Sequence, residues 1–176
     1  MKIGIILGSI RDGRNGESFA RWILDQAQGR SASYELVDLK EFDLPRVTSA
    51  VPAMMANKNY GDPAIQAWSD KIDSFDAYIF VTPEYNHSVP GAFKDAIDHL
   101  YPELFGKTVA VVSYGAGGGV RATEAWRLVL ANFDMRVVRA SVAADIFTDF
   151  ADAQYQPIER HRNEIVAVFD AIESRA

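Results

Sequence analysis

Residues 2–17 read KIGIILGSIRDGRNGE. Lys2–Leu7 is a short apolar run rich in isoleucine, the pattern of a strand buried on both faces rather than of one with a wet side. It stops at Gly8-Ser9. After a polar turn spaced by glycines, Phe19, Ala20, Ile23, Leu24 and Ala27 recur at helical spacing, which predicts a helix over Glu17–Gln28 with Gly29 as its stop. A buried strand, a loop and an amphipathic helix open an α/β unit.

The same order repeats down the chain. Tyr34–Leu39 reads as a second strand, with Glu35 and Asp38 placing it near the sheet edge. Ala77–Thr82 (AYIFVT), Thr108–Tyr114 (TVAVVSY) and Arg136–Val142 read as the third, fourth and fifth. Helices are predicted over Pro63–Ser74 (Ile65, Trp68 and Ile72 inward), Gly91–Leu100 (Phe93, Ala96, Ile97, Leu100), Arg121–Phe133 (Ala122, Ala125, Val129, Phe133) and about Pro157–Glu173 (Ile158, Ile165, Phe169, Ile172). Residues 41–62 show no clean period and contain two prolines; they read as a long excursion with room for a short helix, a kind of loop that is often functional. With no repeat, linker or composition break, residues 1–176 are expected to form one α/β domain whose parallel sheet is covered on both faces. Ligands of such sheets bind beyond the carboxyl ends of the strands. The loops after the first, third and fourth strands are therefore the informative ones.

Composition narrows the chemistry. A net charge of −6 argues against nucleic acid, whose phosphates need clustered Lys and Arg, and against an anionic membrane surface. There are no cysteines, so disulfide, iron–sulfur and thiol redox chemistry are excluded. The three histidines, at 87, 99 and 161, have no metal-ligand spacing, and no metal is expected. Any redox activity would need an organic cofactor to carry the electrons. The apolar start is too short and lacks the small-residue cleavage site of a signal peptide, no stretch reaches the ~18 apolar residues of a membrane span, and a cytoplasmic protein is expected.

In the loop after the first strand, Ser9 and Asn15 offer hydrogen-bond donors. Arg11 and Arg14 can each grip a phosphate in bidentate fashion, and the following helix presents its N-terminal amides. This suits a single terminal monophosphate. Neither G-x-x-x-x-G-K-[ST] nor G-x-G-x-x-G is present in it. On the residues alone, a polar turn with solvated arginines stays open. The loop after the third strand, TPEYNHSVPG at 82–91, is stiffened by Pro83 and Pro90. Its Tyr85 can pack on a ring face and its Asn86 can donate and accept, yet a tight proline-rich connection accounts for it equally well. His87 has no visible carboxylate to orient it and reads as a surface residue; His99 reads as a helix C-terminal feature. After the fourth strand, SYGAGGGVR at 113–121 approaches the dinucleotide fingerprint through Gly115 and Gly117 and fails it at Val120. Its four glycines would let backbone press on a flat ligand, or would simply make a flexible turn. Three ligand-competent loops at one end of one sheet strengthen each other.

GSIRDGR at 8–14, TPEYNHSVPGAFKDAIDHL at 82–100 and SYGAGGGVRA at 113–122 together resemble the NADPH-dependent FMN reductase family, over nearly the whole chain. The resemblance implies a flavodoxin-like three-layer sandwich with a five-stranded parallel sheet in the order 2-1-3-4-5. It implies FMN as cofactor, NADPH or NADH as co-substrate, and a small acceptor such as free flavin, a quinone, an azo compound or a metal oxyanion. Ser9, Arg11, Arg14, Asn15 and Gly16 would hold the FMN phosphate. Pro83, Glu84, Tyr85 and Asn86 would line the isoalloxazine and ribityl side, and Ser113 and Gly115 would meet the other side of the ring. The flavin would carry the hydride chemistry without a catalytic side chain. A homodimer or homotetramer is implied, with Gly91–Leu100 at an interface. The competing expectations are a flavodoxin-type electron carrier that NAD(P)H does not reduce directly, and a domain that keeps the fold for protein interaction.

Overall fold

The structure, a computed structural model, describes residues 1–175. Strands β1 (Lys2–Leu7), β2 (Ser33–Asp38), β3 (Ala77–Pro83) and β4 (Thr108–Gly115) form a parallel sheet. Two short segments, β5 (Arg136–Val137) and β6 (Ala143–Asp145), share the position beyond β4. The order β2-β1-β3-β4-β5 is that of a flavodoxin-like sheet. β2 lies at the edge, as its charged residues indicate.

Side-chain alternation divides the core into two layers. Ile3, Ile5, Leu7, Ile79, Val81, Ala110, Val112 and Tyr114 pack with α1 (Gly16–Gln26) and α6 (Glu159–Glu173). Ile6, Tyr78, Phe80, Val109 and Val111 point the other way, onto α3 (Pro63–Asp73), α4 (Gly91–Asp98) and α5 (Val120–Ala131). On that side Phe80, Phe93 and Trp126 meet pairwise with centroids 4.7–5.4 Å apart. Each such fully buried ring contributes roughly 1.5–3 kcal/mol of apolar burial. α3 opens as its sequence dictates: Asp62 accepts from the amides of Ala64 and Ile65, and Pro63 occupies the first turn.

Several expectations are corrected. The fifth strand does not run unbroken over Arg136–Val142. Val138 still donates to Val109, but Ser141 then gives its hydroxyl to the Val111 carbonyl at 2.7 Å, a side chain replacing a ladder bond, before pairing resumes at Ala143. Of the face expected for α5, Ala122 and Phe133 are buried and Val129 packs partly on the core, but Trp126, with Thr123 and Leu130, takes the innermost place that Ala125 was expected to share. α6 begins at Glu159, leaving Ile158 exposed, and turns His161 inward. An unanticipated hairpin, β7 (Phe150–Ala151) with β8 (Gln154–Tyr155), packs Tyr155 on Phe19 and Trp22. The second strand ends at Asp38 and a 3-10 turn at Leu39–Glu41 leads into the excursion, which holds one short helix, α2 (Ala53–Ala56).

The register brings Leu7 opposite Val81 and Val81 opposite Val112. The loops leaving β1, β3 and β4 therefore start from one rim of the sheet.

Candidate functional site

The first loop is held from two sides. Gly8 donates to Val81, continuing the ladder, and the Ser9 hydroxyl lies 3.1 Å from the Tyr85 hydroxyl. Arg14 is nearly buried. Its Nη1 donates to Asp38 Oδ1 at 2.9 Å and to the Ser9 carbonyl, and its Nη2 donates to Asp38 Oδ2. Arg14, expected to reach a phosphate, is thus committed to the last residue of β2 and to the shape of its own loop. Arg11 differs: it makes no ion pair among the described residues, and its guanidinium lies 5.7 Å from the centre of the Tyr85 ring. Asn15 stands at the start of α1 without capping it. Gly16 opens the helix against the Tyr114 ring, where any Cβ would fall 2.4 Å from the tyrosine oxygen.

In the second loop, Tyr85 and Ser88 exchange two backbone hydrogen bonds of 3.0 Å, and Asn86 and His87 take the left-handed conformation between them (φ 49° and 63°). This is a hairpin-type turn. It puts Asn86 and His87 at an exposed tip, away from the residues that line the cleft, while Pro83, Glu84 and Tyr85 face it. Glu84 accepts from the Arg121 amide at 3.0 Å and from Arg121 Nη1 at 2.8 Å. Burial acts to raise its pKa, but the bonds and charge of Arg121 outweigh it and hold the carboxyl below its ordinary value. His99, at the end of α4, bonds the Pro45 carbonyl at 2.9 Å.

The third loop explains its own composition. Gly117, Gly118 and Gly119 all have φ between 71° and 82°, three successive left-handed residues that side chains would strain. Ser113, expected at a ring, is fully buried behind this loop. Its hydroxyl donates to the Gly118 carbonyl at 2.7 Å and accepts from Thr123. It holds the turn; Gly115 and Ala116 are what the loop presents to the cleft.

Residues 9, 11–15, 83–85 and 114–116, with Ile146, enclose a cleft of about 360 Å³. Three polar features converge on it: the uncapped start of α1, the unpaired Arg11 and the Tyr114 hydroxyl, which is buried without a hydrogen-bond partner. A phosphate fits that end, and a flat ring fits between Pro83–Tyr85 and the glycine turn. Asp38, Tyr114 and Ile146 are not marked as site residues by the sequence alone, where Asp38 reads only as an edge-strand charge. The placement of Asp38 and Tyr114 at the carboxyl ends of strands was the available signal.

Residues 1–149 match the family model described as NADPH-dependent FMN reductase. The chain belongs to the NADPH-dependent FMN reductase family. An NAD(P)H-dependent FMN reductase of Nectria sp is 41% identical over 126 residues, covering 69% of this chain and 63% of that protein, so the matched region spans somewhat less than two thirds of that relative's length. A quinone reductase of Escherichia coli (strain K12) is 34% identical over 146 residues, covering 78% of this chain and 73% of the other. Among solved structures, the flavoenzyme NAD(P)H:(acceptor) oxidoreductase FerB from Paracoccus denitrificans superposes with a TM-score of 0.77 over 99% of this chain and 98% of its own, at 22% identity, which establishes the shared fold. The donor set of the cleft suits a phosphorylated flavin. No helix of the described residues is long and apolar enough to cross a membrane.

Proposed function

We propose that residues 1–176 form a single FMN-binding domain that oxidises NADPH or NADH and passes the electrons to a small acceptor, a free flavin or quinone foremost, with azo compounds and metal oxyanions as further candidates. The observation that carries this reading is the meeting of three loops around one cleft of phosphate-and-ring character. When bound, FMN supplies the redox chemistry, accepting a hydride from the nicotinamide and releasing two electrons to the acceptor.

The chain's own residues bind and orient. Ser9, Arg11, Asn15 and Gly16 hold the phosphate, with Arg14 fixing the Ser9 carbonyl from behind. Pro83, Glu84 and Tyr85 border the ring and ribityl side, with Asn86 at the tip of the same turn, and Gly115 lies opposite with Ser113 supporting it. Ile146 and Pro83 supply apolar walls that keep water from the reacting face. Arg11 also borders an adjoining cavity of about 320 Å³ with Arg21 and Lys40, which are paired to Glu17 and Asp12, so Arg11 is the cation there best placed to meet a phosphate of the nicotinamide nucleotide. Val47, Val51, Met54 and Met55 in the excursion are between 43% and 73% exposed. Such an apolar set supports self-association as a homodimer or homotetramer. A cysteine-free, acidic chain suits the cytoplasm.

The test is an absorbance spectrum of the purified protein with FMN, before and after anaerobic NADPH. Bound flavin that bleaches on NADPH addition is expected. Bound flavin that stays oxidised would instead indicate a flavodoxin-type carrier, and a colourless protein that ignores FMN would overturn flavin binding altogether.

A further inference from the structure

We propose that the Tyr114 hydroxyl is a direct ligand of the flavin nucleotide's phosphate, donating a hydrogen bond from beneath the 9–16 loop; this rests on the FMN reading above. Tyr114 is 5% exposed, and its oxygen is buried without any hydrogen-bond partner. A buried hydroxyl left unpaired costs stability, so a fold that keeps one at a cleft has a use for it. The oxygen lies over Gly16, at the first residue of α1, an eleven-residue helix whose Asn15 cap position makes no side-chain bond. The positive end of that helix and an unspent donor therefore share one spot.

The tyrosine is held there. Its ring meets Phe19 edge-on at 6.2 Å and Phe150 at 6.0 Å, and only a glycine at 16 leaves room for its tip. Packing alone would be served equally by phenylalanine. The Ser9 hydroxyl, also held to Tyr85, and the Gly16 amide act on the phenol oxygen as donors, against the larger effect of burial, so the phenol's own proton stays uncommitted; Arg14 is engaged with Asp38. Burial raises the phenol's pKa further above its ordinary 10, so it remains a proton donor at neutral pH, matched to an anionic acceptor.

The experiment uses Tyr114→Phe. Dissociation constants for FMN and for riboflavin, which lacks the phosphate, are measured by quenching of flavin fluorescence, together with the melting temperature of the flavin-free protein. The expected result is FMN binding weakened roughly tenfold or more, riboflavin binding changed less than twofold, and a flavin-free melting temperature unchanged or higher. Inorganic phosphate, competing with FMN, should lose a similar factor. Equal weakening of both flavins, no change in either, or a lowered flavin-free melting temperature would each overturn the assignment. Wild-type protein that binds no FMN would overturn the functional reading itself, so the two failures are distinct.

Discussion

Arg14 and Asp38 face each other across the end of β1 as a bidentate pair, 24 residues apart in the chain. The guanidinium is 6% exposed and the carboxylate 21%. A nearly buried arginine that loses its partner keeps its desolvation cost without the compensating charge. Asp38→Ala should therefore lower unfolding free energy by about 2 kcal/mol, less than a fully buried pair because water still reaches the carboxylate. Urea melts with an unchanged slope would register it. Because Arg14 also pins the Ser9 carbonyl, FMN affinity should fall in the same variant.

Arg11 is the cation left free, stacked by Tyr85 instead of paired. Arg11→Ala should leave the melting temperature of the flavin-free protein within a degree or so and weaken FMN binding by about 1–3 kcal/mol. The loss should shrink as salt rises, since an exposed charge is screened. Titration of flavin fluorescence at two ionic strengths reads both effects, and an unaltered affinity would contradict a phosphate role for Arg11.

Glu84 ties the second loop to the first turn of α5, with its side chain 8% exposed against 50% for Arg121. Its carboxyl titrates below the ordinary 4.5 in the folded state, so it binds a proton more weakly folded than unfolded. The stability it contributes is complete above about pH 4.5 and is lost as the pH falls through the lowered value. Wild-type protein should lose about 1 kcal/mol more than Glu84→Gln between pH 6 and pH 3. Parallel acid-dependent melts that superpose would show the pair to be silent.

Gly118 has φ of 76°, and an added Cβ would lie 2.9 Å from the Ala143 Cβ. Gly118→Ala should cost about 1–3 kcal/mol through left-handed strain and crowding. It should also weaken FMN binding, since the Gly118 carbonyl is what Ser113 holds. Calorimetric melts with and without FMN separate the two losses.

Local pattern carried much of this. Isoleucine-rich runs separated by amphipathic segments dictate a covered parallel sheet, because a strand buried on both faces has nowhere else to go, and the glycine and proline punctuation marked the three loops. What that pattern could not convey is where each polar side chain spends its hydrogen bonds. Ser113 looked like a ligand from its place in the motif, yet strand alternation turns it behind the turn it secures. Arg14 looked free, until β2 brought Asp38 beside it. His161 and Trp126 lie on the faces that helical spacing marks as inward, but only packing showed that a histidine and a tryptophan, and not the aliphatic residues alone, fill them.

The amino-acid order alone determined the strand succession, the covered sheet and the rim at which a ligand must sit, since these follow from periodicities within a few turns of chain. Only the tertiary structure decided which donors remain unspent at that rim, Arg11 and the Tyr114 hydroxyl, because satisfaction of a buried polar group depends on neighbours supplied by distant segments.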